Sequence, residues 1–89
     1  MRSIRACCRA TEGQEVLSYQ GLLAVCSSSS LDVYASGVLV GKTNEKLVTH
    51  CHLKFVRLGE GTPVEWRTEG RTVHIPCRGA KRIAIEPTP

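Results

Sequence analysis

From residue 31 onward, apolar and polar positions alternate with a period of two, which predicts strands with one face in a core and the other in water. The run 31–41, LDVYASGVLVG, is rich in Val, Leu and Tyr and predicts a strand buried on at least one face. KTNEK follows as a polar turn in which Asn44 tolerates left-handed backbone geometry. In the next strand Leu47, Thr49, Cys51, Leu53 and Phe55 share the side expected to face the core, while Val48, His50, His52, Lys54 and Val56 share the other. GEGTP, residues 59–63, supplies a second turn.

A hairpin is expected at Glu69-Gly70, because a two-residue loop there fixes a self-consistent register. It sets Thr68 opposite Arg71, Arg67 opposite Thr72, Trp66 opposite Val73, Glu65 opposite His74 and Val64 opposite Ile75. Val64, Trp66, Val73 and Ile75 then make one apolar face, and Glu65, Arg67, Thr72 and His74 the polar one. Pro76 should end that strand, and KRIAIEP should supply a last one with Ile83 and Ile85 inward, stopped by Pro87.

The first thirty residues read two ways. TEGQEVLSYQGLLAVCS fits a helix capped by Thr11, with Gln14 at the capping-box position and a stripe of Val16, Tyr19, Leu22, Leu23 and Cys26. It also fits a hairpin turning at Gln20-Gly21, and Gly21 in mid-helix would cost about 1 kcal/mol against Ala. Strands are therefore favoured. Residues 1–10 are expected to form a basic arm or strand, and Ser27 to Ser30 a flexible connection. Five clear strands with two or three more, joined by short turns, predict an all-β single domain over 1–89. The expected architecture is a small β-barrel or β-sandwich of five to seven mainly antiparallel strands, its β core in 31–86, with a short N-terminal helix as the alternative element.

Composition agrees with one modest core, since 89 residues bury only roughly 60–65% of the surface their unfolded chain exposes. With 42% hydrophobic and 22% charged residues the chain is neither charge-rich enough for disorder nor apolar enough to span a membrane. Its longest apolar window, LLAVC, is too short to cross a bilayer, so no membrane partner is expected. The net charge of +4 is a mild bias toward anionic partners. Cys7, Cys8, Cys26, Cys51 and Cys77 are odd in number and contain no C-x-x-C, a poor framework for disulfides or a zinc ribbon. Cys26, Cys51 and Cys77 are expected to pack as small apolar core residues, in a reducing compartment. Glu12, Glu15 and Gln20 interrupt any hydrophobic stretch before LLAVC, so no classical secretion signal is expected, and the cytoplasm or a virion is the expected location.

His50, His52 and His74, with Glu65, are the candidate metal ligands. Against them, His74 is expected one strand away, and Lys54 and Arg67 on the same face would repel a cation; no metal and no cofactor is expected. Cys51 is flanked by histidines, but adjacent strand residues point to opposite faces, so neither imidazole should reach its sulfur. G-x-S-x-G, Walker, G-x-G-x-x-G and H-E-x-x-H patterns are all missing, and no catalytic residue is expected.

Binding and assembly remain. A non-enzymatic subunit that joins copies of itself or a larger protein partner, as virion decoration or tail components do, is the favoured expectation, with Arg2, Arg5 and Arg9 as an arm laid on an acidic neighbour. The alternative is a basic small barrel that holds nucleic acid through phosphates, using Arg67, Arg71, Arg78, Lys81 and Arg82. Base stacking argues against it, because the expected pattern puts Phe55 and Trp66 in the core.

Overall fold

A computed structural model describes residues 16–87, which contain strands and turns but no helix. The strands are β1 (Gln20–Cys26), β2 (Asp32–Ala35), β3 (Val38–Lys42), β4 (Leu47–His50), β5 (His52–Glu60), β6 (Glu65–Trp66), β7 (Arg71–Ile75) and β8 (Ala80–Ala84). They form two sheets, one in the order β4-β1-β8 and one in the order β3-β2-β5-β6, with β7 also paired to β5. All pairs are antiparallel except β1 with β8. The all-β expectation holds in its sandwich form; the sheets do not close into a barrel.

The core lies between the sheets. Leu23, Val25 and Leu47 enter it from the three-stranded side, and Val33, Val56, Leu58, Val73 and Ile75 from the other. Ile83 and Ile85 pack on its margin, as expected, and Pro76 follows the end of β7. β1 is central in its sheet and buried along almost its whole length, which explains its unbroken apolar run. Gln20 and Gly21 therefore pair with His50 and Thr49 within a strand, and the expected turn there does not form.

Two runs read as single strands are each two. LDVYASGVLVG folds back at Ser36-Gly37, where both residues take positive φ (50° and 85°) and Ala35 pairs with Val38. That is the geometry of a two-residue hairpin loop of the I′ kind. The run 46–58 breaks at Cys51, between β4 in one sheet and β5 in the other. His52 takes φ 80°, and the alternation changes phase there. Leu47 and Thr49 are buried as expected, but beyond the corner Val56 and Leu58 point inward while Leu53 and Phe55 point out.

The expected hairpin at Glu69-Gly70 is also overturned. The chain reverses earlier, at 61–64, within reach of the expected GEGTP turn, and both β6 and β7 return along β5. Gly59 pairs with Trp66 and Glu60 with Glu65; farther on Val56 pairs with Arg71, and the ladder continues to His52 with Ile75. Residues 67–70 thus bulge opposite Arg57 and Leu58, and Gly70 (φ 94°) sits inside the bulge. Trp66 consequently faces Gly59 rather than Val73, and Glu65 faces Glu60 rather than His74.

Asn44 (φ 64°) makes the crossing between sheets, as its turn role requires. Its amide donates to Val25 O, its Oδ1 accepts from the Ser27 amide, and its Nδ2 donates to Ser27 O. Asp32 and Lys42 pair across β2 and β3 at 2.9 Å, and this hydrogen bond raises the lysine above its ordinary pKa.

Candidate functional site

The phase change at His52 creates an apolar outer face on the five-stranded sheet. Leu53 is 65% exposed, Leu39 54%, Phe55 44% and Trp66 40%. Leu39 pairs with Tyr34 and Tyr34 with Arg57, so these side chains run across the sheet in register. The Tyr34 and Trp66 rings meet edge to face at 5.0 Å, and the Arg57 guanidinium lies 4.3 Å from the Trp66 ring centroid. Phe55 packs against the bulge, where a Cβ on Gly70 would come within 2.7 Å of its Cε2. Phe55 and Trp66 were expected in the core; both help make the molecular surface.

The sandwich is open along its sides. Between β3 and β4 a groove of about 310 Å³ is lined by Ser36, Val38, Val40, Val48, His50 and Lys54. Between β7 and β8 a second groove, about 330 Å³, is lined by Arg71, Thr72, Val73, His74, Lys81 and Ile83.

The expected histidine set separates. His50 leaves the cluster and stands edge to face with Tyr19 at 5.6 Å. His52 and His74 stay together, with ring centroids 6.5 Å apart. Glu65 is at the far end of β5, opposite Glu60. What joins His52 instead is cysteine. The tip of β1 lies between the β4–β5 corner and the turn before β8: the Cys51 amide donates to Tyr19 O, and the Arg78 amide to Gln20 O. With His52 paired to Ile75, Cys51 and Cys77 then lie just beyond the ends of β5 and β7, and they form a disulfide.

This corrects two expectations. Cys51 is buried, but Cys77 is exposed and neither is a simple packing residue. An odd cysteine count does contain a bridge, while Cys26 stays buried outside it. The His52 Nε2 lies 3.6 Å from the Cys77 Sγ. The sulfur that His52 approaches is thus that of Cys77, across the ladder, and not that of its chain neighbour Cys51. Among the described residues, Cys51, His52 and Cys77 each place one donor atom within 4.8 Å of the others, a set with metal-ligand spacing whose two sulfurs are here joined to each other.

Of the expected anion-binding residues, Arg71 and Lys81 share the β7–β8 groove. Arg67 instead meets Glu60 at 2.5 Å. Arg78 belongs to the turn with φ 59°, and Arg82 lies on β8 opposite Ala24. Arg2, Arg5 and Arg9, like Cys7, Cys8 and the Thr11–Gln14 cap, lie outside the described residues. Comparison with protein-family models, with curated proteins and with solved structures finds no match.

Proposed function

We propose that this sandwich is a non-enzymatic assembly subunit that associates with copies of itself or a larger protein partner through the outer face of its five-stranded sheet. The observation that carries the reading is the exposed set Leu39, Trp66, Phe55 and Leu53, with the half-buried Tyr34 between them, on one face. Exposed apolar surface of this kind marks interaction sites, and Tyr, Trp and Arg are the residues enriched at their centres. The unclosed sheets add edge strands, which a neighbouring copy can cover or extend. Use in many copies within a particle such as a virion suits a unit of this size.

A second reading, nucleic-acid binding, gains from the same face, because outward Phe55 and Trp66 with Arg57 supply the stacking groups expected to be buried. It is weaker, since Glu60 engages Arg67, which removes one of its cations from phosphate contact. Light scattering across a concentration series tests the pair. Association to a discrete oligomer, abolished in Phe55→Ser, is the expected result. A monomer at every concentration whose affinity for single-stranded nucleic acid falls steeply with salt would replace assembly by the second reading.

A further inference from the structure

We propose that the Cys51–Cys77 disulfide is the oxidised, closed form of a metal site, and that the reduced chain binds one zinc ion through Cys51, His52 and Cys77. Geometry is the first ground. In a tetrahedral site with Zn–N near 2.0–2.1 Å and Zn–S near 2.3 Å, a nitrogen and a sulfur ligand stand about 3.5 Å apart. His52 Nε2 and Cys77 Sγ are 3.6 Å apart, so one edge of that tetrahedron already exists. The Cys51 sulfur belongs to the same cluster, within 4.8 Å. Opening the S–S bond requires the sulfurs to move to roughly 3.7 Å, the S···S edge of such a site. Cys77 is an exposed turn residue and is free of the strand ladders that hold Cys51's neighbours.

The second ground is backbone. His52 holds φ 80°, a conformation that few non-glycine residues adopt and that costs Gly nothing. Strain of this kind collects where a side chain is needed in place. The charges agree too: two thiolates neutralise a divalent cation, Lys54 lines the groove on the other side with His50, and Arg67 meets Glu60 beyond the far end of the ladder.

The reaction balances with an external thiol as reductant. Two equivalents of thiol become one disulfide, and Cys51 and Cys77 each gain a hydrogen as their S–S bond breaks. Zinc then displaces both thiol protons to solvent and forms two Zn–S bonds, while the His52 Nε2 lone pair forms the Zn–N bond. The fourth position faces solvent, as in zinc sites that keep three protein ligands.

Zinc titration of the purified chain, reduced and then freed of reductant, against a chromophoric chelator tests the site. His52→Asn is the variant of choice because Asn tolerates the same φ, and His74→Ala is the control. One zinc per reduced chain, none per oxidised chain, at least a tenfold loss of affinity in His52→Asn and none in His74→Ala are expected. Cobalt(II) substitution is a second measurement, expected to give tetrahedral d–d bands and thiolate charge-transfer absorption. An oxidised chain that binds as tightly, a reduced chain that binds none, or a His52→Asn variant matching the parent would overturn the proposal. None of these results depends on whether the chain self-associates.

Discussion

The Thr68 hydroxyl accepts the hydrogen bond of the Leu58 amide at 3.0 Å, in the stretch of β5 where the bulge takes the partner backbone out of register. Leu58 O still accepts from the Arg67 amide at 2.8 Å, so the side chain of Thr68 restores the bond that the ladder lacks. Both residues are buried. Thr68→Val keeps the shape and removes the acceptor, leaving the Leu58 N–H unpaired in the core. A loss of about 1–3 kcal/mol is expected. Urea denaturation of the two proteins measures it, and a change under about 0.5 kcal/mol would show that the bulge is satisfied in another way.

The phase change at His52 is testable by two leucines of β5 that have opposite surroundings. Leu58 is fully buried and Leu53 is the most exposed of the large apolar side chains described. Leu58→Ala should cost about 2–5 kcal/mol, the range for emptying a packed core position. Leu53→Ala should remain within about 0.5 kcal/mol in the monomer. Equal losses would restore the single uninterrupted strand that simple alternation predicts.

Trp66 is the chain's one tryptophan and is stacked with Arg57 on the outer face. Its fluorescence should be that of a water-exposed indole at low concentration and accessible to acrylamide. On association the emission should shift to shorter wavelength and quenching should fall. Arg57→Ala should lower stability by about 0.5–1 kcal/mol, the range for an exposed cation–π contact.

These contrasts separate what local chemistry reveals from what it hides. Period-two alternation, Asn44 in its turn, the stop at Pro76 and the inward Ile83 and Ile85 are short-range features, and each was legible. Ser36-Gly37 carried a turn signal, but continuous apolar residues on both sides concealed it. The corner at Cys51 carried only a weak local mark, because histidine, though enriched at positive φ, sits far more often in extended backbone, and no Gly or Pro stands beside it. Glu69-Gly70 satisfied a hairpin register with period-two symmetry, and so did the competing pairing of 64–75 with β5. Long-range pairing decided between them, through the turn at 61–64. Cys51 and Cys77 meet only once that register is chosen, so the bridge, and His52 beside it, were beyond the reach of spacing alone.

The bridge closes a separation of 26 residues. By the chain-entropy account, a loop of that length contributes about 3–4 kcal/mol by restricting the unfolded chain. The double variant Cys51→Ser with Cys77→Ser should melt roughly 15–30 °C below the parent in calorimetry without reductant. Reduced parent and double variant should melt close together in the absence of metal. A double variant as stable as the oxidised parent would mean that the corner is held by its backbone bonds to Tyr19 and Gln20.

Acid should loosen the C-terminal end of the fold through one carboxylate. Glu86 Oε1 accepts from the Ser28 hydroxyl at 2.6 Å and from the Ser28 amide at 3.2 Å, tying the chain after β8 to the loop after β1. These bonds favour the ionised form and hold the carboxyl below the ordinary glutamate range, the serine hydroxyl contributing most. With the folded pKa depressed, the stabilisation is fully present above the unfolded glutamate value and is lost as pH falls through the folded one. Ser28→Ala removes the stronger bond and should move the Glu86 titration upward, toward its ordinary range. Carboxyl-carbon NMR titration follows that shift directly. Amide exchange at Ile85, which donates to Cys26 O, should quicken in acid in the parent and show a weaker acid dependence in the variant. A Glu86 titration unchanged by Ser28→Ala would leave the hydroxyl without electrostatic effect and remove this source of acid sensitivity.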